Sequence, residues 1–214
     1  METFSACRFC NMVEGKFLYS GIDQPFASNG AFIAVASIGA MVEGWSLIIP
    51  KEHQCSLRNV YRDSGFADFT VSVISRLVHN YGSLIAFEHG ANKEGSITLC
   101  GTDHAHLHLV PFQESLLPEL QNSNLKWIKS RTSEIASRSG NNEYLFYTEL
   151  GTNKLWHDPV GYLHILAHPI SQFFRHIIAA RTGHHDAVDY RQFPNLETAR
   201  QTRNMLAESF NPKL

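Results

Sequence analysis

The chain has 214 residues, 43% of them hydrophobic and 18% charged, and its formal net charge is -2. These values are typical of a globular protein with one sizeable domain. The near-neutral balance gives no electrostatic case for a nucleic-acid polymer as partner, whereas a small nucleotide needs only local contacts. No apolar run reaches the roughly 18 residues of a membrane span, and "METFSACRFC" lacks the features of a secretory signal. We therefore expect no membrane partner and a cytoplasmic location.

The first half of the chain shows strand and helix patterns without regular βαβ alternation. Apolar runs predict strands over 31–37 and 44–53, the second of which should stop at Pro50 because proline donates no ladder hydrogen bond. Apolar residues at intervals of three and four predict an amphipathic helix over 63–81. A third strand is predicted over 82–90, and a loop leads from it to the next motif.

The second half contains two more strand patterns and two more helix patterns: strands over 142–150 and 161–169, and helices over 170–183 and 195–210. Gly183 is expected to end the first of these helices, and Asn195 is expected to cap the second. The polar segment 121–142 is expected to hold a helix and a mobile loop. This order of elements favours an α+β fold.

The stretch "GTDHAHLHLVPF" contains three histidines at every second position, namely His104, His106 and His108. This alternation predicts a strand with all three rings on one face, because a helix would scatter them. Same-face neighbours on a strand lie about 6.6–6.8 Å apart, so the outer two are too far apart to share one ion. Two neighbours could share a metal, or one imidazole could be a nucleophile while another stabilises charge on a phosphate. Surface histidines without a function are the remaining alternative.

The same segment resembles the HφHφHφφ signature of the histidine triad (HIT) superfamily, in which φ is an apolar residue. The φ positions are filled by Ala105, Leu107, Leu109 and Val110. The similarity spans about residues 4–113 and includes "FIAVASIGAMVEGWSLIIPKEH" and the strand that ends in "EHG". It implies an antiparallel sheet with a packed helix, and hydrolysis or transfer of nucleotides. By position, it implies that His106 forms a covalent nucleotidyl-histidine and that His108 contacts the phosphate.

A CxxC pair at Cys7 and Cys10 has the spacing with which two thiolates bind a tetrahedral zinc ion. A subset of HIT proteins is similar, since its members combine such a pair with the histidine after "PK" and the first triad histidine. These two correspond here to His53 and His104. The resemblance therefore implies a structural zinc site, because four protein ligands leave no position for a reacting water.

The chain departs from the family pattern at positions around the substrate. Ser37 stands where many members carry an acidic residue that holds the ribose hydroxyls, and Trp45 stands where many carry a histidine. Glu88 occupies a position at which an asparagine is common. The loop over 90–103 looks longer than usual. These departures bear on which substrate is bound, and they leave the histidines intact.

Four residues are expected to bind the substrate. Ser37 and Ile38 occupy the segment that contacts the nucleoside in the family. Gln172 and Arg175 lie one turn apart on a predicted helix and are expected to reach a phosphate. The alternative for this second pair is a solvated helix face.

We therefore expect a HIT-like catalytic core over 1–115 and a C-terminal extension over 116–214, whose additional strands and helices pack on the core. The expected function is a nucleotide hydrolase or nucleotidyl transferase that cleaves a phosphoanhydride, phosphoramidate or related phosphoester bond through His106. A zinc-stabilised nucleotide-binding module without turnover is the alternative, and a catalytic metal at His106 and His108 is a third. The expected partner is a nucleotide or nucleotide-like phosphate, and the expected assembly is a homodimer.

Overall fold

The structure, a computed structural model, describes residues 7–151 and 156–210. The strands in this part of the chain are β1 (Ala27–Ser28), β2 (Phe32–Ala36), β3 (Ser46–Pro50), β4 (Leu84–Gly90), β5 (Leu107–Pro111), β6 (Ile128–Arg131), β7 (Tyr144–Leu150) and β8 (Val160–Ile165). They form one open sheet in the order β1-β2-β3-β5-β4-β7-β8-β6. Every pair of neighbours is antiparallel. The predicted α+β fold with an antiparallel sheet is confirmed.

The α-helices among the same residues are α1 (Arg8–Val13), α2 (Ser64–Tyr81), α3 (Leu117–Asn122), α4 (Ile135–Ser139), α5 (Phe173–Thr182) and α6 (Leu196–Phe210). The three helices predicted from periodicity are confirmed as α2, α5 and α6. The carboxylate of Asp63 caps α2 by accepting a hydrogen bond from Gly65 N at 2.7 Å. Gly183 ends α5 in the left-handed conformation, with φ 73°. None of the described helices is both long and apolar enough to cross a membrane.

Helices cover both faces of the sheet, so its central strands are buried on both sides. On one face, α2 and α6 pack against side chains that include Ile48 and Leu107. On the other face, α1, α3 and α5 pack against side chains that include Leu47 and Phe87. His108 pairs directly with Leu47 on β3 and with Phe87 on β4, so it lies on this second face. We call this second face the histidine face.

The start of β5 differs from its prediction. The alternation of histidines predicted a strand from His104, but β5 begins at Leu107, so only the last of the three histidines lies in the ladder. In the register of β3 and β5, Leu107 pairs with Ile48, so Ala105 would lie opposite Pro50, which has no N–H to donate and whose carbonyl oxygen lies 2.8 Å from Nε2 of His104. Ala105 N instead donates to Gln54 O, at 2.6 Å, outside any strand.

The side chains nevertheless keep alternating in the segment before β5. Ala105 packs in the core beneath α2. His104 and His106 both contact the ring of Phe9, which belongs to the histidine face. The predicted common face of the three rings therefore exists, although only its last member is held by strand pairing.

The polar segment 121–142 also differs from its prediction. It contains β6 and α4, whereas a helix and a loop were expected. β6 pairs with β8 at the edge of the sheet. An edge strand carries polar residues on its exposed side, so the apolar signal that identifies a strand is weak there.

The strands before and after residue 115 belong to one sheet. β7 pairs with β4 along the whole length of both strands. α5 and α6, which also follow residue 115, cover opposite faces of that sheet. The C-terminal part of the chain therefore supplies both a central strand and the cover of the histidine face.

Candidate active site and metal site

His106 and His108 line one pocket on the histidine face, with their ring centroids 4.6 Å apart. Nδ1 of His106 lies 2.9 Å from the carbonyl oxygen of His104. Burial lowers the pKa of His106 to about 4, so the ring is neutral at pH 7. Because a carbonyl oxygen only accepts, Nδ1 carries the hydrogen and Nε2 keeps its lone pair.

His108 is held in the opposite tautomer by Trp45. The indole Nε1 donates to Nδ1 of His108 at 3.0 Å, and an indole N–H has no accepting role. Burial lowers the pKa of His108 well below its usual value, so the neutral ring carries its hydrogen on Nε2. Phe87 stacks on the ring at 4.4 Å and limits its rotation. The sequence showed Trp45 only as a departure from the family pattern, and only the structure shows its contact.

Three of the four expected substrate-binding residues line the same pocket, namely Ser37, Ile38 and Arg175. Gln172 does not line it. This residue precedes α5 in the left-handed conformation, with φ 55°, and lines a neighbouring cavity. The helix predicted over 170–183 begins only at Phe173, so Gln172 and Arg175 do not share a helix face.

Arg175 is a buried cation, with 4% of its surface exposed. Its Nε donates to Val188 O at 2.8 Å, and its Nη2 donates to Gly39 O and Ala187 O at 2.8 and 2.9 Å. The guanidinium carbon lies 5.1 Å from the centre of the Trp45 ring, a cation–π distance. Burial lowers the pKa of Arg175 to about 10, so it stays protonated at pH 7.

The C-terminal segment 189–195, which we call the strap, closes the pocket on the side of Ser37 and Ile38. Gly39 N donates to Pro194 O at 2.5 Å, and the Asn195 side chain donates to Ala40 O at 3.0 Å. Tyr190 of the strap lines the pocket. The segment that would contact a nucleoside in the family is thus held by the chain's own C-terminal part.

His89 is a site residue that the sequence analysis missed. It lines the pocket, is 6% exposed, and its ring centroid lies 6.3 Å from that of His108 and 5.2 Å from that of Phe174. Its Nε2 is buried without a hydrogen-bond partner. Burial lowers the pKa of His89 to about 3, so the ring is neutral. Period-2 alternation in "LIAFEHG" was the available signal, since it places His89 on the same face as Phe87.

Glu88, which departs from the family pattern, points to the opposite face of the sheet. Its carboxylate accepts hydrogen bonds at 2.6 Å from Leu57 N and from the hydroxyls of Tyr61 and Tyr144. Burial raises the pKa of Glu88. This residue therefore joins three elements of the core and makes no contact with the pocket.

The four predicted metal ligands meet in one cluster. One ligand atom from each of Cys7, Cys10, His53 and His104 lies within 4.8 Å of all the others. Nδ1 of His104 is 3.4 Å from Sγ of Cys7 and 3.6 Å from Sγ of Cys10, and Nδ1 of His53 is 3.2 Å from Sγ of Cys10. In a tetrahedral zinc site, bonds of about 2.3 and 2.0–2.1 Å place sulfur and nitrogen ligands about 3.6 Å apart. The cluster could therefore hold a metal ion.

The other nitrogen of each histidine in the cluster has an acceptor. Nε2 of His104 lies 2.8 Å from Pro50 O, and Nε2 of His53 lies 3.1 Å from the carboxylate of Glu94. These acceptors keep hydrogen on Nε2 and leave the lone pair of Nδ1 directed at the thiols. Partners of this kind orient the ligands of metal sites. The donor set and its surroundings both fit a bound cation.

Phe9 links the metal cluster to the pocket. It stands between the two cysteine ligands in sequence, and its ring lies 5.8 Å from the ring of His104 and 5.2 Å from that of His106. Both contacts are edge to face, a favourable arrangement for aromatic rings. The helix α1, which carries Cys10 and is capped by Cys7, therefore also packs against the ring of His106.

No family model matches the chain. No curated protein matches it either. Among solved structures, the chain is similar to the crystal structure of a HIT family protein from Bacillus anthracis. The sequence identity is 22%, the TM-score is 0.37, and the match covers 56% of this chain and 94% of that one.

Proposed function

We propose that this protein is a HIT-superfamily enzyme that cleaves a phosphoanhydride, phosphoramidate or related phosphoester bond of a nucleotide-like substrate. One observation carries the proposal: His104 O holds the hydrogen of His106 on Nδ1, which leaves Nε2 with a lone pair. A neutral imidazole in this tautomer attacks phosphorus without first losing a proton. His106 is therefore the nucleophile.

The reaction has two steps. In the first, the lone pair on Nε2 of His106 forms a bond to phosphorus, and the bond to the leaving group breaks with its electron pair. The leaving group takes up a proton from solvent, and the phosphorylated ring carries a positive charge that His104 O stabilises through Nδ1–H. In the second, water or another hydroxyl attacks phosphorus and loses its proton, and the electron pair of the P–N bond returns to Nε2.

His108 serves the same reaction as a hydrogen-bond donor. Because Trp45 donates to its Nδ1, Nε2–H is the side of the ring free for a ligand. A donor next to the nucleophile stabilises the negative charge that develops on the phosphoryl oxygens. His106 is thus the nucleophile because a carbonyl oxygen accepts from its Nδ1–H, and His108 is a donor because an indole N–H donates to its Nδ1.

Cys7, Cys10, His53 and His104 would hold a zinc ion. With four protein ligands the ion has no open position, so it would stabilise the fold by joining α1 to the segment after β3 and the segment before β5. His104 then serves the metal through Nδ1 and the nucleophile through its carbonyl oxygen. The backbone of a metal ligand therefore sets the tautomer of His106.

The expected substrate contacts are made by Ser37, Ile38 and Arg175, since these line the pocket. Gln172 is not included, because it lines another cavity. The substrate is a nucleotide or a nucleotide-like phosphate and not a nucleic-acid polymer. The homodimer expected from the family resemblance stays a prediction.

A nucleotide-binding module without turnover is the second candidate. The strap favours this second candidate, because hydrogen bonds join the segment from Ser37 to Ala40 to Pro194 and Asn195. A nucleoside that lies along this segment has to displace the strap. In a binding module of this kind, His106 and His108 bind phosphate, and no covalent intermediate forms.

Mass spectrometry of protein quenched during turnover of a nucleotide panel separates the two candidates. We expect an adduct on His106 that is absent from His106→Ala, while zinc content and fold are unchanged. Replacement of His108 by alanine should slow turnover by about 10²–10³-fold, the value of one charge-stabilising donor. His176→Ala is the matched control, since His176 is exposed on α5. Full activity in His106→Ala, or an adduct at another residue, rules out the assignment.

A further inference from the structure

The pocket is cationic and contains no acid. None of the described residues that line it is an aspartate or a glutamate, whereas two are arginines, Arg8 and Arg175. Arg8 is neutralised by an ion pair with the buried Asp23. None of the ion pairs between described residues includes Arg175. Its three hydrogen bonds go to neutral carbonyl oxygens, and the carboxylate of Asp189 on the strap interacts with it only through space, without an ion pair.

One nitrogen of the Arg175 guanidinium, Nη1, donates no hydrogen bond within the described part of the chain. Nε and Nη2 make the three bonds to carbonyl oxygens, and no described residue accepts from Nη1. A buried charge of this kind is costly unless a counter-ion binds to it. The guanidinium is held firmly, because three backbone oxygens and the Trp45 ring surround it.

His89 is the second polar group of the pocket that lacks a partner. Its side chain is buried, and Nε2 makes no hydrogen bond. Two hydrophobic residues contact the ring: Phe87 from strand β4 and Phe174 from helix α5. A phenylalanine would satisfy this packing without leaving a polar atom unpaired, so packing does not account for an imidazole here.

We propose that Arg175 and His89 form a second anion subsite, which binds an anionic group of the substrate adjoining the phosphoryl group that His106 attacks. The proposal rests on the proposed function and extends it. Arg175 supplies the charge and a free N–H, and His89 supplies a hydrogen bond. Of the bonds considered above, the subsite favours a phosphoanhydride, because a second phosphate then lies one bridging oxygen from the first.

The distances agree with this placement. The Arg175 guanidinium lies on the ring of Trp45, whose Nε1 is 3.0 Å from His108. The centroids of His89 and His108 are 6.3 Å apart. Both groups of the subsite therefore border the ring that donates to the attacked phosphate. Arg175 lies on α5, and His89 contacts Phe174 of the same helix.

Two phosphonates test the subsite, because their P–C bonds cannot be cleaved by attack on phosphorus. The affinities of methylphosphonate and methylenebisphosphonate are measured by calorimetry on the zinc-loaded full-length protein. We expect wild type to prefer the bisphosphonate by about 10- to 100-fold, the value of one or two charge-assisted hydrogen bonds. Arg175→Met and His89→Phe should each reduce this preference by about tenfold, because each weakens bisphosphonate binding more than methylphosphonate binding.

The ratio of the two affinities is the deciding quantity, because loss of folded protein affects both ligands equally. Arg181→Met is the matched control: Arg181 lies on the same helix, pairs with Glu119 and does not line the pocket. His89→Phe keeps the test valid if Arg175→Met does not fold. An unchanged ratio in His89→Phe, or a wild type that binds both phosphonates equally, overturns the subsite. Absence of methylphosphonate binding, or of an adduct on His106, would instead count against the proposed function.

Discussion

Nε1 of Trp45 lies 3.0 Å from Nδ1 of His108, and this single contact determines which nitrogen of His108 carries the hydrogen. An indole N–H only donates, so it selects the ring form whose Nε2–H is available to a ligand. The nucleophile beside it is held in the other form by a backbone carbonyl. The division of roles between two adjacent histidines is therefore set by their hydrogen-bond partners.

Trp45→Phe keeps the aromatic ring and removes the N–H. We expect kcat to fall by about three- to tenfold, the value of one hydrogen bond, while KM changes little. The pKa of His108 should also rise, because the lost N–H stabilises the neutral ring by donating to Nδ1. Trp127→Phe is the control, since Trp127 donates its N–H to Ser123 and does not line the pocket. Equal losses of kcat in the two variants would show that the effect comes from ring packing and not from the hydrogen bond.

Zinc should be bound at about one ion per chain, because four ligands converge in the cluster of Cys7, Cys10, His53 and His104. Structural zinc contributes on the order of 10 kcal/mol in small peptides, and a chain of this size should depend on it less. Cys10→Ser should lower both the zinc content and the melting temperature. Cys55→Ser, outside the cluster, should change neither. Protein that contains no zinc by elemental analysis and has four titratable thiols would contradict this expectation.

His89 should make stability depend on pH. Its pKa is about 3 in the folded protein, against about 6.5 unfolded, so the unfolded state binds more protons between these values. The stabilising contribution is present above pH 6.5 and is lost as the pH falls towards 3, by up to about 1.4 kcal/mol per pH unit. The free energy of unfolding is measured in urea series at pH 4–7. In His89→Phe its dependence on pH should be smaller by the amount that corresponds to about one bound proton. An unchanged slope would contradict the buried neutral state of His89.

A substitution at Gly39, which packs against the strap, should loosen the contact between the two segments. Gly39 has φ +71°, and a Cβ there would lie 2.3 Å from the Cβ of Tyr190. Gly39→Ala should therefore destabilise the protein by about 1–3 kcal/mol more than backbone strain alone. Gly15→Ala is the control, since Gly15 has φ +76° and no atom near the added carbon. Equal free energies of unfolding for the two variants would show that the strap is not held tightly against Gly39.

The division at residue 115 should not separate two folding units. β4 pairs with β7, and α5 covers the histidine face, so residues 1–115 alone would expose both an edge and an apolar face. Variants that keep only Trp45 or only Trp156 report on the two parts. Their fluorescence transitions in urea should coincide. A stable, folded fragment 143–214 after limited proteolysis near 130–142 would contradict this.

Local periodicity predicted those elements whose apolar faces repeat along the chain. The helix over 63–81 and the strand over 82–90 are found as α2 and β4 within two residues at each end. Spacing alone identified the CxxC pair of the metal cluster, whereas His53 and His104 were assigned to it by the family resemblance. Edge strand β6 was missed, since its residues are mostly polar and its partner lies far along the chain.

The sequence by itself determined the α+β class, the common face of His104, His106 and His108, and the four candidate metal ligands. Only the tertiary structure decided that β5 begins at Leu107, because Ala105 would lie opposite Pro50, which has no N–H, and donates to Gln54 O instead. It also decided that Arg175 lines the histidine pocket while Gln172 does not, because the backbone turns before α5. The partners of His108 and the burial of His89 depend on strands and helices that meet only on folding. Such contacts follow from packing between distant segments, which no local pattern encodes.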